Sequence, residues 1–269
     1  MGALFRDLRI TAVRLKRRPG YPLVAVLVLS IGLTAVIGVF AYLSAFRQPF
    51  PGADADGLFR LMESDPEEVF RDLSFLDFQD YAATASHFEG VAATQPFFAA
   101  SVRHEAETEV AFLEAVSGNY FSVLGTPVAL GRPIEPSDDA AGAPSVAVIS
   151  YRWWRRRWDG DPSVIGQTLY LNYRPFTIVG VAGPEFLGAA SEFRPDVWIP
   201  IAPFRDRYTS WDRQAQDRDI PLVRVFARLP DGAPMRQAAH ELDGIARGLD
   251  EAFPRPDRPR AVRVAPVTW

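Results

Sequence analysis

The sequence predicts an α+β fold, with one N-terminal transmembrane helix followed by a mixed extracytoplasmic domain. Three observations lead to this prediction: a long run without charge, alternating strand-like segments that come in adjacent pairs, and single helices scattered between them. A regular α/β protein would instead alternate strand and helix along its whole length. The segment after the apolar run, residues 52–269, is long enough for one large domain or two intertwined ones.

The apolar run extends from Pro22 to Phe46 and contains no Asp, Glu, Lys, Arg or His. A helix of this length is about 37 Å long, more than the hydrocarbon core of about 30 Å. A buried helix of a soluble protein and a cleaved signal peptide are the alternatives. The signal peptide is disfavoured because its apolar core is usually about 7–15 residues and because Leu43-Ser44-Ala45 is a poor cleavage site. We therefore predict an uncleaved transmembrane helix at residues 21–46.

Charge is divided unevenly around this run. Residues 1–18 carry a formal charge of +5, and the rest of the chain carries −9. The positive-inside rule places the basic end in the cytoplasm and the main domain in the periplasm, with the chain anchored in the inner membrane. Residues 1–20 form the predicted cytoplasmic segment, with an amphipathic helix over residues 3–17 along the membrane surface. The acidic main domain argues against a nucleic-acid partner.

Hydrophobic periodicity predicts the elements that follow the run. Strands are expected at Leu58–Met62, Phe97–Val102, Glu109–Val116, Pro144–Ser150, Gly166–Asn172, Pro175–Val181, Asp196–Pro200, Leu222–Leu229 and Ala261–Val267. Helices are expected from a capping box at Ser74 and Asp77, at Ser117–Leu124 before Gly125, at Tyr151–Trp158, and from Pro234 to about Phe253. A hairpin turn is predicted at Tyr173-Arg174 and a polar loop at Tyr208–Asp219.

Motifs for catalysis are missing from the sequence. It has no G-x-x-x-x-G-K-[ST] loop, no G-x-G-x-x-G after a strand and no G-x-S-x-G elbow. The three histidines, His87, His104 and His240, are far apart, and the absence of cysteine excludes thiolate catalysis and zinc–thiolate sites. We therefore predict that the protein is not an enzyme, with no catalytic, cofactor-binding or metal-binding residue and no cofactor. An anchored hydrolase is an alternative that requires these histidines to converge with Asp and Ser.

Two further segments each have two interpretations. The pair Asp138-Asp139 lies in a Ser/Ala/Gly-rich loop and is expected to be solvated, although such a pair can bind a cation. The stretch YRWWRRRWD, residues 151–159, interleaves aromatic and basic side chains, as sites for single-stranded nucleic acid or lipid headgroups do. Because Tyr151, Trp154 and Trp158 share one helical face, we predict a core-facing aromatic stripe with a solvated basic side.

Four stretches, in the expected order, resemble the first span and the periplasmic core domain of MacB-like ABC transporter permeases. They are FRDLRITAVRLKRRPGYPLVAVLVLSIGLTA near the N-terminus, SGNYFSVLGTPVALGRPI from Ser117 to Ile134, SVAVISYRWWRRRWDGDPSVIGQTLYLNYRPFTIVGVAGPEFLG from Ser145 to Gly188, and DVWIPI from Asp196 to Ile201. The likeness covers nearly the whole chain. It extends to FtsX and LolE relatives, and the N-terminus resembles in particular permeases with two such halves in one chain.

The resemblance implies a porter-like α/β domain that is interrupted by a β-rich inserted subdomain. On that pattern residues 52–269 form the periplasmic core domain. The porter-like part covers about 58–134 and 222–267, and the insertion covers about 144–208. The resemblance also implies family glycines whose role is in turns and at positive φ, namely Gly118, Gly131, Gly166 and Gly180.

The implied function is that of a permease component, a half or a fragment, of a MacB/FtsX-type ABC transporter. Its extracytoplasmic domain would transmit ATP-driven motion for export or mechanotransmission of an unknown substrate. The implied partners are a cytoplasmic ABC ATPase subunit, a second permease half or an identical copy, and periplasmic adaptor or envelope proteins. The family continues into three more spans, whereas this chain stops at Trp269, so a fragment and a truncated product are both consistent with it. A stand-alone anchored sensor or lipid- or protein-binding domain is the alternative function.

Overall fold

A computed structural model describes residues 20–45, 52–64, 70–104, 107–189, 194–202, 209–255 and 259–267. The chain divides into two compact units, residues 1–48 and 49–269. The predicted amphipathic helix over residues 3–17 lies outside the described residues. In the first unit, side chains are described at positions 20, 24, 26–34 and 36–40.

The first unit contains helix α1, Gly20–Ala45, which is 26 residues long. Its described apolar side chains are exposed; Leu29, for example, is 72% exposed. Among the residues that the structure describes, no helix meets the combined length and apolarity that crossing a membrane requires. The predicted transmembrane helix is therefore not confirmed and stays a prediction.

The second unit is a mixed α/β body. Its described helices are α2 (Phe75–Thr84), α3 (Tyr120–Leu124), α4 (Tyr151–Trp158), α5 (Thr209–Ala215) and α6 (Met235–Ala252). Its described strands are β1 (Leu58–Ser64), β2 (Phe70–Arg71), β3 (Gly90–His104), β4 (Glu107–Val116), β5 (Val128–Gly131), β6 (Val146–Ile149), β7 (Thr168–Leu171), β8 (Arg174–Ala182), β9 (Val197–Pro200), β10 (Arg224–Arg228) and β11 (Ala261–Pro266).

These strands form one mixed sheet in the order β11-β1-β10-β3-β4-β9-β6-β8-β5. Strand β2 pairs with β1, and β7 pairs with both β3 and β8. The pairs β4–β9 and β6–β8 are parallel, and the other pairs are antiparallel. Hairpins and single helices are thus mixed, which confirms that the domain combines helices and strands as predicted. Strand β3 pairs with β10 through its first residues and with β4 and β7 beyond them, so it joins the two ends of the sheet.

The core lies on both faces of this sheet because alternate residues of each strand point to opposite sides. In β10, Val225 and Ala227 belong to one apolar cluster and Phe226 to the other. Helices α2, α4, α5 and α6 cover the first face, and α3 with residues 186–189 covers the second. Burial on two sides explains why β6 and β9 are apolar along their whole length.

Most predicted elements are present with shifted ends, but the predicted loop at Tyr208–Asp219 is wrong over residues 209–215. Residues 209–215 form α5, where Trp211 and Ala215 lie one turn apart and both are buried. The Trp211 ring packs edge-on against Phe75, with the ring centroids 5.4 Å apart. Two apolar residues among polar neighbours are too few for a visible helical period, so only tertiary packing reveals this helix.

Three strand segments were not predicted: β2, β5 and the first part of β3. The first part of β3 reads GVAATQP, and alanine and glycine are poor strand formers. The register is also shifted between Gln95 and Phe98, around Pro96, which cannot donate to the ladder. Burial against β10 and β4, not intrinsic propensity, places this segment in the sheet.

The β7–β8 hairpin is confirmed, but its turn lies one residue earlier than predicted. Asn172 and Tyr173 have φ values of 46° and 67° and form the tip. Two successive positive φ values are typical of the tight turns that match the twist of a hairpin. Asn172 tolerates this conformation, and its side-chain Oδ1 accepts a hydrogen bond from Ser101 N at 2.9 Å.

The aromatic stripe of α4 is confirmed only in part. Tyr151, Trp154 and Trp158 are partly buried and pack against the first-face core. The fully buried residue of this helix, however, is Trp153, which the prediction had not placed on that face. The Trp153 indole is held there because its Nε1 donates to Glu109 Oε1 at 2.9 Å.

The family glycines serve two different purposes. Gly131 and Gly166 have φ values of 71° and 88°, as predicted for positive-φ positions. Gly118 and Gly180 do not have positive φ. Gly118 lies in a turn, as predicted, whereas Gly180 lies within β8, where the prediction is wrong. They are required by close approach: a Cβ at Gly180 would lie 2.1 Å from Arg132 O, and one at Gly118 would lie 2.6 Å from Pro136 Cα.

Candidate functional site

A buried carboxylate in the first turn of α2 gathers three arginines. Asp77 Oδ1 accepts a hydrogen bond from Arg218 Nη1 at 2.5 Å. Its Oδ2 accepts from Arg255 Nη2 at 3.2 Å and from Arg260 Nε at 3.0 Å. Asp77 is 3% exposed, so these are ion pairs largely removed from water.

Local sequence positions Asp77. Ser74 is the N-cap of α2, and its side chain accepts from Asp77 N at 3.0 Å, which confirms the predicted cap. The side chain of Asp77 points to the arginines instead of completing the box. A carboxylate in the first turn is also favoured by the helix dipole.

The arginines extend this ionic cluster to other elements. Arg255 Nη1 donates to Glu63 Oε1 in β1 at 2.7 Å. Arg260, directly before β11, donates from Nη1 to Asp250 Oδ1 at 2.7 Å and to Phe253 O at 2.9 Å, at the C-terminal end of α6. The ionic cluster therefore ties α2, β1, α6 and the start of β11 to one another.

The ionic cluster contains more carboxylates than arginines. Its three arginines bind the buried or partly buried carboxylates of Asp77, Glu63 and Asp250, and at its outer side Arg218 also binds Asp80 at 2.7 Å and Arg255 binds Asp219 at 2.9 Å. Burial by itself raises the pKa of Asp77, but hydrogen bonds from Arg260 and Arg218 outweigh it and hold that pKa below its usual value. The pKa of Arg260 is raised, because its bonds to Asp77 and Asp250 outweigh burial. Asp77 is therefore a permanent anion, unsuited to take up a proton at neutral pH.

The histidines whose side chains the structure describes, His87 and His240, form no catalytic group with Asp and Ser. His87 Nδ1 lies 3.0 Å from Glu241 Oε2, whereas His240 is exposed on α6 and His104 ends β3. Ser86 Oγ donates to Glu241 Oε1 at 2.7 Å. The carboxylate thus stands between the hydroxyl and the imidazole, so the imidazole has no access to the serine proton.

Glu241 is a structural anchor. Besides those two contacts, it accepts hydrogen bonds from the backbone N–H groups of Ser86 and His87. Although burial raises the pKa of Glu241, these hydrogen bonds lower it to about 2. The residue therefore fastens the loop between α2 and β3 to α6.

Asp138 is buried, contrary to the prediction, and Asp139 is half-buried. Arg132 binds Asp138 through two hydrogen bonds of 2.6 and 2.9 Å. Asp139 accepts from Gly118 N at 3.1 Å and from Ala202 N at 2.6 Å, which joins three separate loops. Within the described residues, no group of three or more His, Cys, Asp or Glu side chains is arranged to hold a metal ion.

Beside Asp139 lies a cleft of about 440 Å³. Its walls are mainly apolar, with polar groups at one end, and are formed by Phe75, Phe78, Gln79, Ala82, Val91, Ser117, Gly118, Asn119, Pro136, Asp139, Ala141, Ile201 and Ala202. The polar groups bind one another: Ser117 Oγ donates to Asn119 Oδ1 at 2.8 Å. The cleft offers apolar contact area but no described catalytic pair.

A second buried carboxylate, Glu114 in β4, has only neutral donors at hydrogen-bonding distance. It is 1% exposed, and its Oε1 accepts from Thr94 Oγ1 at 2.7 Å and from Tyr120 OH at 3.3 Å. Its Oε2 accepts from Trp198 Nε1 at 2.7 Å. Burial raises the pKa of Glu114. The carboxyl group links β3, β4, β9 and α3 on the second face of the sheet.

The two ends of the second unit lie side by side. In the β1–β11 pair, Phe59 opposes Pro266, and Ser64 opposes Ala261. The backbone N–H of Val267 donates to Leu58 O at 3.2 Å. The chain therefore enters β1 and leaves β11 at the same end of the sheet, and the ionic cluster lies toward the other end of this pair, next to Glu63.

This architecture is that of an extracytoplasmic domain of the ABC transporter permease type. The chain belongs to the MacB-like periplasmic core domain family, whose model matches residues 23–245. This is a family of permease periplasmic domains and not of hydrolases.

A curated relative is the probable export ATP-binding/permease protein MacB of Pseudomonas entomophila. It is 26% identical over 133 residues, which are 49% of this chain and 19% of that protein. The chain therefore spans about a fifth of the length of that relative.

Two solved structures have a similar fold. The periplasmic region of MacB from Actinobacillus actinomycetemcomitans superposes with a TM-score of 0.56 at 13% identity, covering 80% of this chain and 91% of that one. The extracellular domain of the transporter YknZ from Gram-positive bacteria gives 0.53 at 16% identity, covering 77% and 98%. At these identities the likeness establishes the fold alone.

Sequence reasoning missed both the ionic cluster and Glu114. Asp77 was identified only as part of a helix cap, and Arg218, Arg255 and Arg260 lie in segments without a periodic pattern. Arg218, Arg255 and Arg260 are 141, 178 and 183 positions from Asp77 along the chain. A single charged residue inside the apolar strand AFLEAV was the available signal for Glu114.

Proposed function

We propose that this chain is the N-terminal, membrane-anchored part of a MacB/FtsX-type permease, whose extracytoplasmic domain transmits ATP-driven motion. The observation that carries the proposal is the pairing of β1 with β11, which brings both connections of the domain to one end of the sheet. A displacement of either connection would act on both strands at once. The single sheet would then carry it to the far strands β8 and β5.

The ionic cluster supports this mechanical role. A strand that is pulled at one end slides along its neighbour unless something holds its other end. Arg260 holds the start of β11 to α2 and α6, and Arg255 holds Glu63 in β1. A buried ion pair resists separation because each charge would be left unpaired away from water.

The anchor and the subdivision of the domain are part of the same proposal. Helix α1 would cross the inner membrane, with residues 1–20 in the cytoplasm. The porter-like part would comprise about 58–134 and 222–267, and the β-rich insertion about 144–208. The cleft between α2 and the loop at Pro136–Asp139 would lie where these parts meet. ATP hydrolysis would take place on a separate cytoplasmic ABC ATPase subunit.

The proposed partners follow from the family to which the domain belongs. A second permease half or an identical copy would complete the transport path. Periplasmic adaptor or envelope proteins would receive the motion outside the membrane. The transported substrate is not encoded in any motif of the sequence.

Thiol labelling tests the orientation. Because the chain has no cysteine, single-cysteine variants Asp231→Cys, at an exposed turn, and Ala3→Cys report one side each. A membrane-impermeant maleimide applied to spheroplasts should label the first variant and should label the second only after lysis. Labelling with the sides reversed would overturn the proposed anchor orientation.

Copurification tests the transport role. The tagged chain, solubilised in mild detergent, should recover an ABC ATPase subunit. The Ala3→Cys and Asp231→Cys chains of the labelling experiment should recover it equally well. Recovery of no ATPase from cells that express the whole transporter would count against a permease component.

The cleft favours one alternative function, a stand-alone anchored domain that binds lipid or another apolar ligand. Its volume of about 440 Å³ and its phenylalanine walls are compatible with an acyl chain. Native mass spectrometry of the purified chain should then show a retained lipid that is lost in an Ala82→Trp variant. Absence of any retained lipid would favour the permease role.

A further inference from the structure

One half of β4 has an open hydrogen-bonding edge. Strand β4 pairs with β3 along nearly its full length, but β9 pairs with it only from Leu113 to Val116. Among the described residues, no strand pairs with residues 107–112 on that side. An open edge in a sheet exposes backbone N–H and C=O groups that another extended chain can bind.

The hydrogen bonds of β3 show which backbone groups of β4 point to the open side. Ser101 opposes Val110, and both its N–H and its C=O bind Asn172, on the β7 side of β3. Ser101 and Val110 are therefore a non-hydrogen-bonded pair, in which the backbone groups of both residues point away from the partner strand. The N–H and C=O of Val110 accordingly face the open edge.

Two residues further along, the same edge is closed. Phe112 N donates to Asp196 Oδ2 at 3.2 Å, and Phe112 O accepts from Asp196 N at 2.7 Å. Asp196 thus binds both backbone groups of Phe112, the C=O through its own backbone N–H and the N–H through its side-chain carboxylate. Val110 has no such partner among the described residues. The Val110 side chain is 66% exposed, and Thr108 at the next outward-facing position is exposed.

Arginines of α4 border this edge. Arg152 Nη2 binds Asp196 Oδ1 at 2.9 Å, beside Phe112. One turn later, Arg156 Nη2 lies 3.8 Å from Glu109 Oε2. Both arginine side chains are about half exposed. The carboxylate that binds Arg152, Asp196, is buried, and the one near Arg156, Glu109, is also bound by Arg157 Nη1 at 3.0 Å. The border of the edge therefore presents cationic groups that can bind further carboxylates.

We propose that the open edge of β4 at Thr108–Val110 binds one extended, acidic segment of a partner protein as an added strand. Backbone hydrogen bonds to Val110 would supply affinity, and Arg152 and Arg156 would select for acidic side chains. A second copy of the chain is disfavoured as the occupant, because edge-to-edge pairing would bring two identical arginine borders together. This inference does not depend on the proposed transport function.

Peptide binding by the full-length chain in detergent tests the proposal. The probes are a fluorescein-labelled peptide that alternates valine and glutamate and a matched peptide that alternates valine and lysine. Fluorescence anisotropy should show tighter binding of the glutamate peptide by at least about tenfold, equivalent to about 1.4 kcal/mol. Equal binding of the two peptides would overturn the charge selection.

A proline substitution isolates the backbone contribution. Val110→Pro removes an N–H that faces the open edge, so the β3–β4 ladder keeps its bonds, and Val110→Thr is the matched variant that retains the N–H. Val110→Pro should weaken glutamate-peptide binding about tenfold, and Val110→Thr should change it less than twofold. If Val110→Pro does not fold, hydrogen exchange of the Val110 amide in the unmodified chain decides: slower exchange with peptide supports the added strand, and unchanged exchange overturns it.

Arginine variants isolate the charge contribution. Arg152→Gln with Arg156→Gln should abolish the preference for the glutamate peptide, whereas Arg155→Gln, an exposed arginine of the same helix, should preserve it. Loss of the preference in the Arg155 variant alone would contradict the proposed placement. A concentration-dependent dimer that Val110→Pro abolishes would identify a second copy as the occupant and overturn the proposed partner.

Discussion

Arg260 Nε donates a hydrogen bond of 3.0 Å to Asp77 Oδ2, and both residues are almost fully buried. Arg260 precedes the last strand of the sheet, and Asp77 lies in the first turn of α2, so the pair joins residues 183 positions apart in the sequence. Together with Arg255 and Arg218, it fastens the edge strand β11 to the helices that cover the sheet.

Removing the Arg260 charge should destabilise the second unit strongly. Arg260→Gln leaves Asp77 and Asp250 without their shared partner, and breaking a buried ion pair costs about 3–5 kcal/mol. The free energy of unfolding, measured in urea by tryptophan fluorescence, should fall by that amount. Arg236→Gln, an exposed arginine on α6, is the control and should change it by less than about 0.5 kcal/mol. Similar effects of the two substitutions would contradict the proposed role of the ionic cluster.

Acid should weaken the fold through two carboxyl groups. The pKa of Glu241 is about 2 in the folded protein, against an ordinary value of 4.5. The pKa of Asp77 in the folded protein lies below its ordinary value of 3.8. A lowered folded-state pKa adds stability that is complete above the unfolded-state value and is lost as the pH falls toward the folded-state value. The free energy of unfolding should therefore decrease from about pH 4.5 to about pH 2. The Glu241→Gln variant should show a shallower decrease; an identical slope would rule out this contribution.

Glu114 should act in the opposite direction. Burial raises its folded-state pKa above the ordinary 4.5. The unfolded chain then releases this proton at a lower pH than the folded chain, so stability is lost as the pH rises above 4.5. In Glu114→Gln this loss is absent, and its free energy of unfolding relative to the unmodified protein should rise with pH over that range. Glu89→Gln, at an exposed position, is the control. The difference between its free energy of unfolding and that of the unmodified protein should not change with pH.

Two glycine-to-alanine substitutions should change the stability of the protein in opposite directions. A Cβ at Gly180 in β8 would meet Arg132 O at 2.1 Å, so Gly180→Ala forces the backbone apart. Overpacking of this kind costs about 1–3 kcal/mol. Gly244 lies in α6 with no atom within 4 Å of an added Cβ, and Gly244→Ala should stabilise the helix by up to about 1 kcal/mol. Thermal unfolding of both variants checks the pair, and a stabilised Gly180→Ala would contradict the close packing of β8 on the Arg132 loop.

The N-cap of α2 should contribute a smaller, separate amount. Ser74 Oγ accepts from Asp77 N, so Ser74→Ala leaves a helix N–H without its cap and should cost about 1 kcal/mol. The same change at Ser122, whose side chain is exposed, is the control. A loss as large as that of Arg260→Gln would indicate that Ser74 also positions the Asp77 carboxylate.

The sequence predicted elements well where periodicity was strong. Helix α6 begins and ends within two residues of its predicted limits because its apolar side chains recur at helical spacing over 18 residues. Strands β6 and β9 were found because each is a short apolar run, and β10 was found because apolar and basic residues alternate along Leu222–Leu229. Helix α5 was missed because its two buried residues, Trp211 and Ala215, are too few to show a helical period. The first part of β3 was missed because it contains glycine and alanine, which are poor strand formers. Their structure depends on neighbours that are distant in sequence.

The sequence alone determined the fold class and the family of this protein, because both depend on local patterns and on motifs in a fixed order. Only the tertiary structure decided which charges meet. The Asp77 cluster, the burial of Glu114 and the open edge of β4 each depend on strands and loops that the chain brings together over long separations, and a charged residue in the sequence does not reveal whether its partner is water or another buried charge.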